Sequence, residues 1–422
     1  MNSKTIGNIF KGDKVIWMIF FFLCMISIIE VYSASSSLTY KSENYMGPVI
    51  KHMGLLGLGI LTMICMLKVK CKYFKIVTPF VLGFSFLLLI WALVAGQSAN
   101  GASRWINLVG FNFQPSELAK GAVILAVAQI LSAMQTENGA NNRAFKFILV
   151  AVAPFVFLIG LENLSTAMLL CVTILCMMIV GRIPMKLIGI LVGTVLIAIS
   201  LMLGTIMIIG HDDQETVKPE NTLTENVTKE EPSTAGKIFH RADTWKARID
   251  KFLDSKPVAP EDVDLNKDAQ VAHANIAIAS SNIAGKGPGN SVERDFLSQA
   301  YSDFIYSIII EEMGIEGAIA VAMLYLFLLF RVGRIANRCE NNFPAFLAMG
   351  LAILLVIQAL FNMMVAVGLA PVTGQPLPLI SRGGTSTVIN CVYLGIILSI
   401  SRTAKKKDGN QNAHHEAKIA VA

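Results

Sequence analysis

Apolar residues run through this chain in long blocks, broken at intervals by short polar segments. Blocks of roughly 17–25 apolar residues are long enough to cross a bilayer as helices. Ten can be placed, near 15–36, 49–67, 74–95, 116–134, 145–161, 164–181, 187–210, 304–330, 344–368 and 386–402. The fifth and sixth are short and meet at Glu162-Asn163, so they read as a hairpin of two spans or as one broken element. The predicted fold class is an all-α polytopic membrane protein. Residues 1–210 hold seven spans, 211–303 form a long polar loop, 304–402 hold three spans, and 403–422 form a tail. The block from Val15 reads as a retained first span, because more spans follow and no convincing small-residue cleavage site appears.

Composition agrees: 54% of residues are hydrophobic and 15% charged, which excludes an ordinary soluble domain. The formal charge of +6 calls for no nucleic acid, because the basic residues sit in the turns between spans. They also orient the chain. Lys4, Lys11 and Lys14 precede the first span, Lys68 to Lys75 follow the second, Arg143 and Lys146 the fourth, and Arg182 and Lys186 the sixth. Arg331, Arg334 and Arg338 follow the eighth, and Arg402 with Lys405–Lys407 the tenth. Ten spans put all of these on one side, so both termini are expected to be cytoplasmic. The seven cysteines lack metal-type spacing and read as buried or reduced thiols.

Four polar segments then fall outside: 37–48, 96–117, 211–303 and 368–386. The tract 211–237 is polar, acidic and rich in Thr and Glu, a composition that predicts disorder. Over 238–253, Ile238, Ala242, Trp245, Ile249 and Phe252 recur at helical spacing, with Arg241, Lys246, Arg248 and Lys251 between them. That is the pattern of a basic amphipathic helix lying on the membrane face, or of a helix packed on the loop's own core. Residues 257–268 read as a linker and 269–283 as a short apolar helix leading into a Gly-rich turn.

The informative chemistry lies where that turn meets the eighth span, in GKGPGNSVERDFLSQAYSDFIYSIIIEEMG. Carboxylates at membrane depth are costly and mark function by default. Glu311 and Glu312 fall one to two turns below Asp303, which predicts a polar cavity beside that helix. Asp303 itself has two readings, a helix cap worth about 1 kcal/mol or a catalytic carboxylate. Arg104 and Trp105 in GASRWI pair a cation with an aromatic, suited to a phosphate or to interfacial anchoring. Glu117, in QPSE, opens the fourth span, with Lys120 one turn on. In the last outside segment, Pro371, Pro376 and Pro378 stiffen the chain ahead of Ser381, Arg382, Gly383 and Gly384. Free N–H groups there suit an anion such as a pyrophosphate, or a plain re-entrant turn. A transporter would place paired charges near the bilayer midplane. Here charges and loops gather on one side, which favours an enzyme acting on a lipid-linked substrate.

GASRWI with FQPSELAK, then GKGPGNS with SDFIYSIIIEEMG, then GLAPVTGQPLPLISRGGTS, in this order, resemble the SEDS family (shape, elongation, division and sporulation). The GxGxGNS form of the turn and the basic helix ahead of it look more like division-type than elongation-type members. The resemblance implies ten spans in the bacterial cytoplasmic (inner) membrane, at the division septum. It implies polymerisation of lipid II, an undecaprenyl-pyrophosphate-linked disaccharide peptide, into peptidoglycan glycan strands. The implied partners are a class B penicillin-binding protein transpeptidase and other division proteins. The family's catalytic aspartate falls on Asp303, and its other motifs fall on Arg104, Glu117 and Pro371–Ser386.

Three departures stand out. The family's PDLGTA is Glu162-Asn163-Leu164-Ser165-Thr166-Ala167 here, its SYGG is Ser381-Arg382-Gly383-Gly384, and its GSGG is Ser280-Ser281-Asn282-Ile283. The implied reaction needs a base near a sugar hydroxyl and positive charge near the leaving pyrophosphate. Asp303 suits the first. Arg104, Lys286, the 241–251 basic residues or a divalent cation such as Mg2+ suit the second, and the sequence does not choose. Trp105, Glu117, Lys120, Glu311 and Ser381–Gly384 complete the expected substrate-binding set. A lipid II flippase, an elongation-type polymerase and a non-catalytic division scaffold are the other readings.

Overall fold

The computed structural model describes residues 11–39, 47–99, 102–108, 111–137, 139–209, 269–297 and 301–420. The expected acidic tract at 211–237, the amphipathic helix at 238–253 and the linker at 257–268 lie outside these residues. Internal contacts divide the chain into a main body, Met1–Met185 with Val258–Ala422, and a second unit, Lys186–Pro257. The described part of the second unit is α7, which runs Met185–Ile209.

The main body begins with α1 (Lys14–Thr39), α2 (Gly47–Lys68) and α3 (Cys71–Ala95). A meander of β1 (Gln97–Ala99), β2 (Ala102–Leu108) and β3 (Phe111–Phe113) follows, antiparallel throughout. Then come α4 (Pro115–Ala133), a small hairpin of β4 (Gln135–Thr136) and β5 (Gly139–Ala140), α5 (Asn142–Glu162) and α6 (Leu164–Val180). The chain resumes with α8 (Ala269–Ala279) and a 3-10 turn at Glu293–Asp295. It ends in α9 (Ile305–Ala336), α10 (Asn342–Ala366) and α11 (Thr385–Ala420).

At least eight helices among the described residues are long and apolar enough to cross a membrane, and α6, at 17 residues, is apolar but shorter. Backbone polar groups cannot stay unpaired in lipid, so apolar blocks this long must close their hydrogen bonds as helices. The break between α5 and α6 comes from Asn163, whose extended backbone ends one helix and whose side chain accepts from Thr166 N at the start of the next. The purely α-helical expectation needs correcting. Gln97–Ala99, Ala102–Leu108 and Phe111–Phe113 pair as strands, because a polar segment with alternating Ser, Trp and Asn satisfies its backbone by folding on itself. The expected short helix at 269–283 stops at Ala279, and the last helix continues past residue 402 to Ala420.

The core is formed by α4, α10 and the first half of α11, whose side chains are buried nearly all round. Helices α2 and α11 approach closely through small residues: a Cβ on Gly59 would lie 2.7 Å from Cys391 Sγ, and one on Gly395 2.7 Å from Met63 O. At the opposite end from the polar loops, Asp13 caps α1 by accepting from Val15 N and Ile16 N. The same carboxylate takes a forked bond from Arg331 of α9, with Nη2 at 2.7 Å, while Asp13 N donates to Ser401 Oγ of α11. One residue ties three helices.

Candidate functional site

Asp303 sits two residues before α9. Phe304 occupies the N-cap position and no side chain caps the helix, so the capping reading of Asp303 is not what the structure contains. The carboxylate instead accepts from Ser302 Oγ at 2.9 Å. The final loop between α10 and α11 folds onto this segment. Ser381 Oγ donates to Ser302 O (2.6 Å) and accepts from Leu377 N (2.7 Å). Arg382 N donates to Tyr301 O (3.0 Å), and the Arg382 guanidinium lies 5.3 Å from the Tyr301 ring centroid. Gly374, at φ +67°, brings bare backbone to the carboxylate: a Cβ there would lie 3.3 Å from Asp303 Oδ2. Any larger residue would crowd the space in front of that carboxylate.

Polar side chains on the buried helices hold the loop in place. Asn362 of α10 donates through Nδ2 to both Asp303 O (2.9 Å) and Gln375 O (2.7 Å), and Gln375 Nε2 donates to Thr166 Oγ1 at the start of α6 (2.7 Å). One turn before Asn362, Gln358 Nε2 donates to Pro376 O (3.2 Å) and its Oε1 accepts from Lys120 Nζ (3.0 Å). Lys120 also pairs with Glu117 at 2.8 Å, with both side chains almost fully buried. Tyr393 OH of α11 donates to Glu117 O (2.5 Å). Pro115 at the first helical position of α4 sets the start of that helix. Thr385 Oγ1 donates to Asn112 O, joining the start of α11 to β3. The structure therefore connects Asp303, Ser381, Arg382, Glu117 and Lys120 in one hydrogen-bonded set. It places Trp105, half-buried on β2, on the meander tied to it, with Arg104 beside it in the same strand. Gly383 and Gly384 lead into α11, and Gly384 has φ +57° with open space where a Cβ would stand.

Lys286 and Glu311 belong to a second cluster. The sequence predicted a polar cavity beside Glu311 and Glu312; both are fully buried in polar surroundings, and the Gly-rich turn itself fills the space. Glu311 accepts from Lys286 Nζ (2.6 Å), Ser291 Oγ (2.5 Å), Val292 N (3.1 Å) and Glu293 N (3.3 Å). Glu312 accepts from Gly289 N (2.8 Å), Ser291 N (3.3 Å) and Ser33 Oγ of α1. The turn amides at Lys286 and Gly287 donate to the carbonyls of Glu311 and Glu312 (2.9 and 2.8 Å). The turn is threaded against a kink in α9 at Gly314 (φ 68°, ψ −170°), where a Cβ would lie 2.0 Å from Ile283 O. Charge at membrane depth is satisfied here by amides and one ion pair.

Asn362 and Gln358, which hold the final loop, lie outside every motif read from the sequence, while Gln375 and Thr166 lie within quoted motifs but carried no assigned role there. Gln358 and Asn362 were visible as amides four residues apart in an apolar block, a spacing that puts both on one helix face. Among the described residues, no group of three or more His, Cys, Asp and Glu is arranged to hold a metal ion.

A helical, multiply spanning membrane protein with a carboxylate under a rigid Pro/Gly loop defines the class. The chain belongs to the FtsW/RodA/SpoVE family of cell cycle proteins, which matches residues 13–406. A Geobacter metallireducens protein named probable peptidoglycan glycosyltransferase FtsW is 30% identical over 419 residues, covering 96% of this chain and 99% of its own. The Escherichia coli K12 peptidoglycan glycosyltransferase MrdB is 26% identical over 401 residues, covering 94% and 96%. The fold is shared with a chain of a peptidoglycan synthase complex (TM-score 0.67, 24% identity, 93% and 98% covered). It is shared too with the Thermus thermophilus rod shape determining protein RodA (TM-score 0.61, 22% identity, 94% and 98% covered).

Proposed function

We propose that this protein is a peptidoglycan glycosyltransferase that polymerises lipid II, with Asp303 as the general base. The observation that carries the reading is the final loop folded onto Asp303, which brings Arg382 to the Tyr301–Asp303 segment while Lys120 holds the loop from beneath. In the reaction, a sugar 4-hydroxyl attacks the anomeric carbon of the lipid-linked sugar. A C–O bond forms, the bond to pyrophosphate breaks, and Asp303 takes the hydroxyl proton. Base catalysis of this kind contributes roughly 10²–10⁴ in rate. Lys286 is already bonded to Glu311, whereas Arg382 lies at the Tyr301–Asp303 segment, which supports Arg382 as a group that meets the pyrophosphate, with Arg104 a further candidate. A Mg2+ ion carried in with the pyrophosphate would supply the same charge.

Glycan synthesis in division, rather than elongation, is the reading the GxGxGNS turn and the FtsW-named relatives support. A class B penicillin-binding transpeptidase is the proposed partner, and the bacterial inner membrane, with cytoplasmic termini, the proposed location. Purified protein supplied with lipid II, with and without its transpeptidase, tests the function. Glycan strands are expected from the wild type and not from Asp303→Asn. Lipid II that stays unpolymerised under every condition by a well-folded wild type would overturn it.

A further inference from the structure

The buried face of α1 carries three polar residues one turn apart, Ser27, Glu30 and Ser33, exposed 0%, 0% and 2%. Its other face, with Phe22, Met25, Ile29 and Tyr32, is exposed and apolar, as a lipid-facing surface should be. Ser27 Oγ donates to Ile380 O of the final loop (2.7 Å), so its hydroxyl accepts from His52 Nε2 of α2 (2.8 Å), which assigns the ring proton to Nε2. Ser33 Oγ donates to Glu312 and accepts from Arg294 Nη1 (2.9 Å). Glu30 lies between the two serines, and neither of its carboxylate oxygens has a hydrogen-bond partner. Glu312 meets the same face of α1 one turn on from Glu30, through Ser33.

The surrounding charges have other contacts. From the Gly-rich turn, Lys286 is bonded to Glu311, and Arg294 reaches Ser33 and Gly289 O through Nη1 while its buried Nε has no hydrogen-bond partner. Glu293 is paired with His273 of α8 (2.7 Å), and Asp295 faces solvent 3.8 Å from Arg294. From the final loop, Arg382 lies over Tyr301; from α2, Lys51 is exposed and His52 keeps its Nδ1 without a partner. Of the two carboxylates at this face, Glu30 and Glu312, Arg294, which is bonded to the Ser33 that also meets Glu312, can balance one at most, and Lys286 is taken by Glu311. An unpaired carboxylate at membrane depth is costly enough that the site must gain a positive charge from outside the chain. The excess is a single charge, so a divalent ion would overshoot it.

We propose that Glu30, with Glu312 and Ser33, forms a binding site for one monovalent cation, a proton or a sodium ion, and that its occupancy holds α1 against the Gly-rich turn. A proton fits because two carboxylates at one site keep one proton between them. Sodium fits because the donors are all hard oxygens. The site stands apart from the glycosyltransferase reading, and its test uses unfolding rather than glycan synthesis.

A cation that binds only the folded state raises its stability by linkage. The purified full chain in detergent is unfolded by heat at about pH 6 and about pH 9, in choline chloride or in sodium chloride of equal ionic strength. For a proton site, the wild-type midpoint falls at the higher pH by at least about 2 °C more than that of Glu30→Gln, whatever the salt. For a sodium site, sodium chloride restores the wild-type midpoint at about pH 9 and does nothing for Glu30→Gln. Equal pH and sodium responses in the two proteins overturn the proposal. Should Glu30→Gln fail to fold, the wild type is treated with dicyclohexylcarbodiimide, which reacts with protonated carboxyls in apolar surroundings. Modification of Glu30 at about pH 6 that fades at about pH 9 or with sodium supports the site; an unmodified Glu30 at about pH 6 overturns it.

Discussion

At Asp303 two chemistries compete, and geometry separates them. A capping carboxylate points at the first free N–H groups of its helix and is replaced well by Asn. Here the N-cap belongs to Phe304 and the carboxylate faces Gly374. Asp303→Asn is therefore expected to unfold at the wild-type temperature and to polymerise roughly 10²–10⁴ times more slowly, a barrier rise of about 3–5 kcal/mol. A stable variant with near-normal glycan synthesis would move the base elsewhere. The Lys120–Glu117 pair has a structural side that can be measured by itself. Removing one member of a buried pair strands the other charge, at a cost of about 3–5 kcal/mol. Lys120→Met should lose that much in stability, and adding Glu117→Gln should recover part of it. A double-mutant cycle on unfolding measures the coupling, and additive effects would mean the pair is not the contact that matters.

The Gly-rich turn is the element whose backbone most constrains its sequence. Gly285 and Gly314 face each other at positive φ, and a Cβ on Gly285 would lie 2.3 Å from Glu312 O. The φ and ψ of Gly314 lie in a region essentially reserved for glycine. Alanine there pays backbone strain and pushes the turn off the Glu311 and Glu312 carboxylates. Gly314→Ala is expected to lower stability by more than about 3 kcal/mol, read as a loss of folded protein or a large drop in unfolding temperature. By contrast, Gly54→Ala in α2, where a Cβ meets nothing within 4 Å, should be neutral or slightly stabilising.

Across the main body, the polar contacts gather at two ends. One holds Asp303 and the final loop; the other holds Asp13, Arg331 and Ser401. The Lys/Arg asymmetry predicts that the first end faces outward and the second faces the cytoplasm. Single cysteines at Asn282 and Asn342, both exposed, test this in a background without the seven native thiols. A membrane-impermeant thiol reagent on intact cells should label the Asn282 position and spare the Asn342 position; the reverse pattern would invert the topology. Arg331→Ala should loosen α1 from α9 at the inner end. The sign to look for is faster proteolysis near Asp13, with the Asp303 site unchanged.

The sequence by itself determined where most of the helices lie and which charged segments stand out from them. Apolar length and Pro/Gly punctuation are local properties, and a bilayer leaves a long apolar block no alternative to helix. Asp303, Glu117, Lys120 and Arg382 were legible because charges stand out against so apolar a background. Only the tertiary structure decided which of them meet. Asn362 links Asp303 to Gln375, and Gln375 reaches Thr166, contacts spanning 59 and 209 residues of chain. Lys286 and Glu311 looked like substrate contacts in the linear sequence, yet they are each other's partners across 25 residues. No periodicity encodes such pairings. They follow from the cost of leaving a buried charge or amide unmet, and folding settles them wherever two distant segments can each supply what the other lacks.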